Sequence, residues 1–321
     1  MYRSSLVLAL LPVVALACSA TGNNSGQDTG GGGSGASGIG GQGASGGGIL
    51  TGGGGSGPNA DCNEASQFVY VLSDDNRLFS FQPDKKIFTM IGTLGCNTPM
   101  QPNSMAIDRN ATAWVNYVES DGFSGDTAGQ VFKVSTKDAS CDPAPAAVLP
   151  ADWYRLGMGF STNGADTESE TLFLTGTGSG FSSPGLGRLD TTNGALTPIG
   201  GFTGGLDGEN AELTGTGDGR LFGFFTTTPV IVGELDKNSG AVLNQKQLPA
   251  VETPAAWAFS FWGGDFYLYT APDPTLDPGR TTNVTRYQPS DGSVDPQYMV
   301  NIGFRIVGAG VSTCAPLEPP Q

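Results

Sequence analysis

Histidine is absent from all 321 residues of the sequence. Its absence excludes the nucleophilic triads and histidine general bases that depend on an imidazole ring. Positive charge is also scarce, because the sequence has 15 Lys and Arg residues but 30 Asp and Glu residues, which gives a net charge of −15. Since phosphate backbones repel a protein this acidic, we expect no nucleic-acid partner.

Long apolar runs are confined to the first residues. Residues 1–17 contain Arg3 and then "LVLALLPVVALA", which is too short to span a membrane and is typical of a signal peptide. The run ends in "ALAC" at residues 15–18. Small residues before a cysteine resemble the lipobox of bacterial lipoproteins, which implies cleavage before Cys18 and acylation of its thiol. The alternative is an ordinary secreted protein with a cysteine at this position.

Residues 18–61 are dominated by Gly and Ser and carry almost no charge. Such a segment buries too little apolar surface to offset the entropy of ordering it, so we expect a flexible tether. Ser19 stands where an inner-membrane retention signal has Asp, which favours an outer-membrane or cell-surface lipoprotein. The membrane, reached through the lipid anchor, is therefore one expected partner.

Residues 62–321 contain a repeat with a period of about fifty residues, a spacing typical of propellers. Each copy is a strand, a polar turn and a second strand, and the turns begin at Gln82, Ser135, Asp190, Asp236 and Gln288. Two further short strands precede each turn. The first is small and apolar, as in "SMAID", "GMGFS", "AELTG" and "AWAFSF".

Four short strands per repeat and glycine-rich turns predict an all-β fold, a β-propeller of five four-stranded blades. Six blades and a β-sandwich are the alternatives, although a sandwich has no reason to repeat. The first copy lacks its small inner strand. We expect "RIVGAGVST" at 305–313 to supply it and to close the ring, which removes the free edges.

Four cysteines remain in this domain, and export favours disulfides. Cys62 precedes the first strand of the domain and Cys314 follows the last, so closure of the ring predicts that they pair. Cys96 and Cys141 then form the second disulfide. A zinc site is the alternative, but the sequence has no CxxC spacing and no histidine.

Acidic residues near the predicted channel are the candidates for catalysis or metal binding. Asp207, Glu209 and Glu212 lie in "GGLDGENAELTG", and Asp108 ends another inner strand. Paired carboxylates serve glycosidases on propeller folds, and carboxylates also suit Ca²⁺, although no DxDxDG loop is present. The alternative is a set of solvated loop residues in an acidic protein.

Aromatic residues in "AWAFSFWGGDFYLY" (256–269) are candidates for stacking on a sugar. The side chains concerned are Trp257, Trp262 and Tyr267. Alternation of large and small residues here is equally typical of an ordinary strand packed between blades.

The chain as a whole resembles Gram-negative surface lipoproteins with a glycine-rich tether and a propeller ectodomain. The motif "GRLDTTNGALTPIG" resembles the strand–turn–strand unit of quinoprotein-like propellers. This resemblance implies the fold and no site residues, and we expect no cofactor beyond a possible Ca²⁺. Two functions remain open: a non-catalytic binding or scaffolding module for an unknown protein or glycan, and a glycan hydrolase or lyase that uses the acidic residues.

Overall fold

The computed structural model describes residues 62–121, 125–177 and 182–320. The predicted signal peptide (1–17), Cys18 and the tether (18–61) lie outside the described residues. The strands form five four-stranded antiparallel sheets arranged in a ring, so the protein contains a five-bladed β-propeller, as predicted. None of the helices in the described part of the chain has the length and apolar character needed to cross a membrane.

The strands are numbered in chain order and given from the axis outwards in each blade. Blade 1 consists of β20 (Ile306–Val311), β1 (Val69–Ser73), β2 (Arg77–Gln82) and β3 (Ile87–Thr93). Blade 2 consists of β4 (Gln101–Ile107), β5 (Thr112–Ser120), β6 (Asp126–Ser135) and β7 (Ala147–Val148). Blade 3 consists of β8 (Leu156–Thr162), β9 (Glu170–Gly176), β10 (Leu186–Leu189) and β11 (Leu196–Gly200). Blade 4 consists of β12 (Ala211–Gly215), β13 (Leu221–Phe225), β14 (Val230–Leu235) and β15 (Val242–Leu248). Blade 5 consists of β16 (Ala256–Trp262), β17 (Asp265–Ala271), β18 (Asn283–Gln288) and β19 (Ser293–Met299). Short 3₁₀ helices cover Glu64–Gln67 and Pro83–Lys85.

The polar turns of the repeat join the two outer strands of each blade, where the sequence predicted them. In blade 3, Asp190 Oδ1 accepts a hydrogen bond of 2.8 Å from Thr192 N. In blade 4, Asp236 Oδ1 accepts one of 2.9 Å from Asn238 N. These Asx turns reverse the chain without help from the core, which explains why the motif is recognisable in the sequence.

The inner strands are poor in large side chains because their backbones nearly touch around the axis. A Cβ atom added to Gly157 on β8 would lie 2.0 Å from the carbonyl oxygen of Ala211, where β12 begins. One added to Gly215 on β12 would lie 2.1 Å from the carbonyl oxygen of Phe160 on β8. Glycine is therefore required at these contacts, since only a residue without Cβ permits so close an approach.

The hydrophobic core is divided among the interfaces between neighbouring blades. Five clusters of buried side chains fill these interfaces, one for each pair of blades around the ring. Burial on both faces is what favours apolar residues at nearly every position of the second strands. Representative pairs across the interfaces, starting between blades 1 and 2, are Leu72 and Val115, Val131 and Leu172, Leu186 and Leu213, Phe224 and Phe259, and Tyr269 and Val71.

The last strand of the chain completes the first blade. β20 pairs antiparallel with β1, with Val311 opposite Val69 and Gly308 opposite Leu72. Just beyond this pairing, Cys314 forms a disulfide with Cys62, with a Cα–Cα distance of 5.8 Å. The second disulfide joins Cys96 to Cys141. These are the predicted pairs, and they indicate an oxidising, extracytoplasmic compartment.

We expect the two disulfides to differ in their contributions to stability. Their sequence separations are 252 residues for Cys62–Cys314 and 45 for Cys96–Cys141. Chain entropy then predicts a stabilisation about 1.5 kcal/mol larger for the closing disulfide. The Cys62→Ala/Cys314→Ala variant should lose more free energy of unfolding than Cys96→Ala/Cys141→Ala, as measured by urea denaturation. An equal or smaller loss would contradict the closing role.

Candidate functional site

A cavity of about 180 Å³ opens on the propeller axis, at the face of the ring where the inner strands begin. We call it the axial cavity and this face the upper face. All five inner strands contribute to its wall, because each begins at this face. Its lining residues are Pro102, Asn103, Arg155, Leu156, Gly157, Thr177, Asn210, Ala211, Glu212, Ala255, Ala256, Trp257, Arg305 and Val307.

Arg155 is held firmly in the cavity wall by a carboxylate and an amide. Its Nε and Nη2 atoms donate to the two carboxylate oxygens of Asp126, at 2.8 and 2.9 Å. Its Nη1 donates to Asn103 Oδ1 at 2.6 Å. This bidentate ion pair neutralises the charge of Arg155 and fixes the orientation of the guanidinium.

Glu212 lies on β12 at the wall of the axial cavity and is almost fully buried, with 3% exposed. Its Oε2 atom accepts hydrogen bonds from Ser104 Oγ at 3.0 Å and from Met158 N at 3.3 Å. Burial raises the pKa of Glu212 well above its usual range, although these hydrogen bonds oppose the shift. Burial therefore favours the uncharged acid at this position.

Arg305 immediately precedes the closing strand β20 and lines the same cavity while partly buried. Its Nη1 atom donates to the carbonyl oxygen of Pro272. Among the described residues, no carboxylate oxygen lies within 4.0 Å of its guanidinium nitrogens. Arg305 thus brings to the cavity a positive charge with no close counter-ion.

Asn210 and Trp257 complete the chemistry of the wall. The Oδ1 atom of Asn210 is buried and accepts no hydrogen bond from the described residues. An unpartnered buried carbonyl oxygen is costly, so the Asn210 side chain would gain a hydrogen bond by turning this oxygen towards a ligand hydroxyl in the cavity. Trp257 is partly buried and contributes an aromatic surface to the wall.

The structure does not bring the predicted acidic residues together. Of the four, only Glu212 lines the axial cavity; Asp207 and Glu209 are exposed in the loop before β12. Asp108 follows the end of β4, so it lies towards the opposite face. There its carboxylate accepts hydrogen bonds from Asn110 N, Thr112 N and Trp114 Nε1, which explains it as a turn residue. No group of three or more Cys, His, Asp or Glu side chains among the described residues is arranged to hold a metal ion.

Two of the three aromatic side chains predicted to stack on a sugar are buried. Trp262 is 8% exposed and donates from Nε1 to the carbonyl oxygen of Gln67 at 2.7 Å. Tyr267 is 2% exposed and packs edge-on against Phe81 in the interface between blades 5 and 1. Both side chains belong to the core, and this burial disfavours stacking on a sugar. Of the three, only Trp257 lines the cavity, and it also packs against the core between blades 4 and 5.

Sequence reasoning missed the polar residues that surround the cavity. Their signal was positional, because equivalent places in the repeats meet at one mouth of the ring. Arg155, Asn210, Ala255 and Arg305 each directly precede an inner strand, Asn103 is the third residue of β4, and all five line the cavity. Aligning the repeats on their small inner strands would have brought them within a few columns of one another.

No protein-family model and no curated protein matches the chain. Among solved structures, the chain is similar to a protein of unknown function from Bacteroides caccae. The identity is 11%, with a TM-score of 0.38, over 76% of this chain and 98% of that one. Similarity at this level carries no argument about function.

At the lower face, opposite the axial cavity, Glu170 connects three parts of the ring. Its Oε1 atom accepts from Arg109 N at 2.7 Å, and its Oε2 atom accepts from Thr313 Oγ1 at 2.8 Å. Thr313 adjoins the closing disulfide. Burial raises the pKa of Glu170 to about 7, although the hydrogen bonds from Arg109 and Thr313 oppose the shift.

We expect Glu170 to make the fold less stable as the pH rises. Between the ordinary value of 4.5 and about 7, the folded protein holds the proton more tightly than the unfolded chain does. The contribution of Glu170 to the free energy of unfolding is therefore fully present below pH 4.5 and is lost as the pH rises through 7. Relative to Glu170→Gln, the wild type should lose about 1–3 kcal/mol of unfolding free energy between pH 4.5 and pH 8. Urea denaturation of both proteins at both pH values measures this loss, and a constant difference would contradict the assignment.

Proposed function

We propose that this protein is a membrane-anchored, extracytoplasmic lipoprotein whose propeller binds a ligand in the axial cavity without converting it. The observation that carries the proposal is the composition of that cavity. Donors, an unpartnered acceptor and an aromatic surface converge there from all five inner strands. Concave sites with a few convergent polar groups are the usual form of a small-ligand site.

The carboxylates favour binding over hydrolysis. Glycoside hydrolysis by the common mechanisms needs two carboxyl groups that flank the scissile bond. Glu212 is the one carboxyl side chain among the residues that line the axial cavity. The predicted hydrolase or lyase would have to act through this single carboxyl group. Catalysis is therefore one of the outcomes that the binding experiment below distinguishes.

A glycan and small-molecule screen tests the proposal on the full-chain protein in detergent micelles. Ala255 is exposed at the rim of the axial cavity, so Ala255→Trp should fill the mouth without disturbing the core. Ala250 is exposed after β15 and does not line the cavity, which makes Ala250→Trp the matched control. Ligands of the wild type should bind Ala255→Trp at least about tenfold more weakly and bind the control unchanged.

Turnover of each ligand is followed in the same screen. Binders insensitive to Ala255→Trp would show that the axial cavity is not the site. Conversion of a binder that stops with Glu212→Gln would favour the hydrolase or lyase instead.

The anchor is tested separately at Cys18. Acylation of this thiol should carry the protein into the detergent phase of a two-phase extraction, because two acyl chains or more give stable membrane attachment. Cys18→Ser should leave the protein in the aqueous phase. Equal partitioning of the variant and the wild type would show that the protein has no lipid at Cys18.

A further inference from the structure

Arg305 is the one partly buried arginine among the described residues that has no ion pair. Two of the described arginines, Arg188 and Arg305, have no ion pair within 4.0 Å, and Arg188 is exposed on β10. Those that have one are Arg77, Arg109, Arg155, Arg220, Arg280 and Arg286. In a chain with twice as many acidic as basic residues, a partly buried arginine without a close partner points to an anion supplied from outside.

None of the nearby carboxyl groups forms a direct ion pair with Arg305. Asp126 is engaged by Arg155. Glu212 is kept towards its uncharged form by burial. Asp74 and Asp273 interact electrostatically with Arg305, but neither lies within ion-pair distance of it. Arg305 is therefore the one charged group in the cavity wall that has no direct ion-pair partner among the described residues, on a protein of net charge −15.

We propose that the axial cavity binds a small hydroxylated anion, a sugar acid with a carboxylate or sulfate group that Arg305 pairs and a hydroxyl that Asn210 contacts. This inference rests on the proposed binding function and specifies its ligand class. A guanidinium suits both carboxylate and sulfate because its planar donors match pairs of oxygens. A hydroxyl can donate to the unpartnered Oδ1 of Asn210.

The size of the cavity limits the ligand to about one sugar ring. Its volume of about 180 Å³ lies below the range of roughly 300–1,000 Å³ that holds drug-sized molecules. Trp257 offers one face of this ring an aromatic surface for stacking. A longer glycan would therefore enter only by a charged terminal residue.

Calorimetric titration of the full-chain protein in detergent micelles tests the inference with four probes: glucuronate, glucose 6-sulfate, glucose and acetate. At least one of the two charged sugars should bind at least about tenfold more tightly than glucose. The affinities of glucuronate and glucose 6-sulfate, compared with each other, identify carboxylate or sulfate as the preferred group. Arg305→Gln should weaken that binding about 10- to 100-fold, as expected for loss of a charge-assisted hydrogen bond. Arg305→Lys should retain part of the affinity because it keeps the charge.

Three controls separate recognition of the charge from recognition of the hydroxyl and from effects on folding. Arg188→Gln removes an arginine that also lacks an ion pair but lies outside the cavity, and it should change nothing. Asn210→Ala should weaken the charged sugar and leave acetate unaffected, because acetate has no hydroxyl. Thermal unfolding of Arg305→Gln and Arg305→Lys establishes that both remain folded.

Three results would overturn the inference. One is equal affinity for glucose and both charged sugars, another is full binding to Arg305→Gln, and the third is binding of none of the charged probes at millimolar concentration. Failure of the proposed function itself is distinguishable, because then the broader screen also finds no ligand whose binding is sensitive to Ala255→Trp.

Discussion

Pairing of the last strand of the chain with the first is the interaction on which the ring depends. β20 occupies the axial position of blade 1, where it pairs with β1 on one side and contacts the inner strands β4 and β16 of both neighbouring blades. Its residues Ile306, Ala309 and Val311 also belong to the core between blades 5 and 1. Without β20, two blade interfaces would lose an inner wall, and the edge of β1 would be free to pair with another chain.

The same closure creates the candidate site. The axial cavity lies where the five inner strands begin, and the last of them carries Arg305 at its start. The inner strands approach each other closely, which Gly157 and Gly215 permit because they lack a Cβ atom, and this keeps the channel narrow. The cavity is therefore a shallow site of about 180 Å³ at one mouth of the ring. Structure and candidate function depend on one constraint, because a ring that fails to close also fails to bring Arg305 and Asn210 into the wall of one cavity.

Periodicity was enough to predict the fold, since turns such as "DTTNG" form by local hydrogen bonds and small inner strands recur with them. Closure by the C-terminal strand then fixed the disulfide between Cys62 and Cys314. Candidate site residues were harder to predict, because their role depends on which way each side chain faces. Trp262 and Tyr267 are buried in an interface between blades, whereas Trp257 is only partly buried against the core between blades 4 and 5 and also lines the cavity. Charged residues just before inner strands, Arg155 and Arg305, look like ordinary turn residues until the ring places both in the wall of one cavity.

Truncation after Gly303 tests the closing role of β20 most directly. The matched control is the full chain with Cys62→Ala and Cys314→Ala, which lacks the closing disulfide but keeps the strand. The control should remain a monomer with a cooperative thermal transition at a lowered temperature. The truncated chain should give no such monomer, because it loses inner-strand burial from a fold whose total stability is about 5–15 kcal/mol. A truncated monomer that unfolds cooperatively at the temperature of the control would contradict the account.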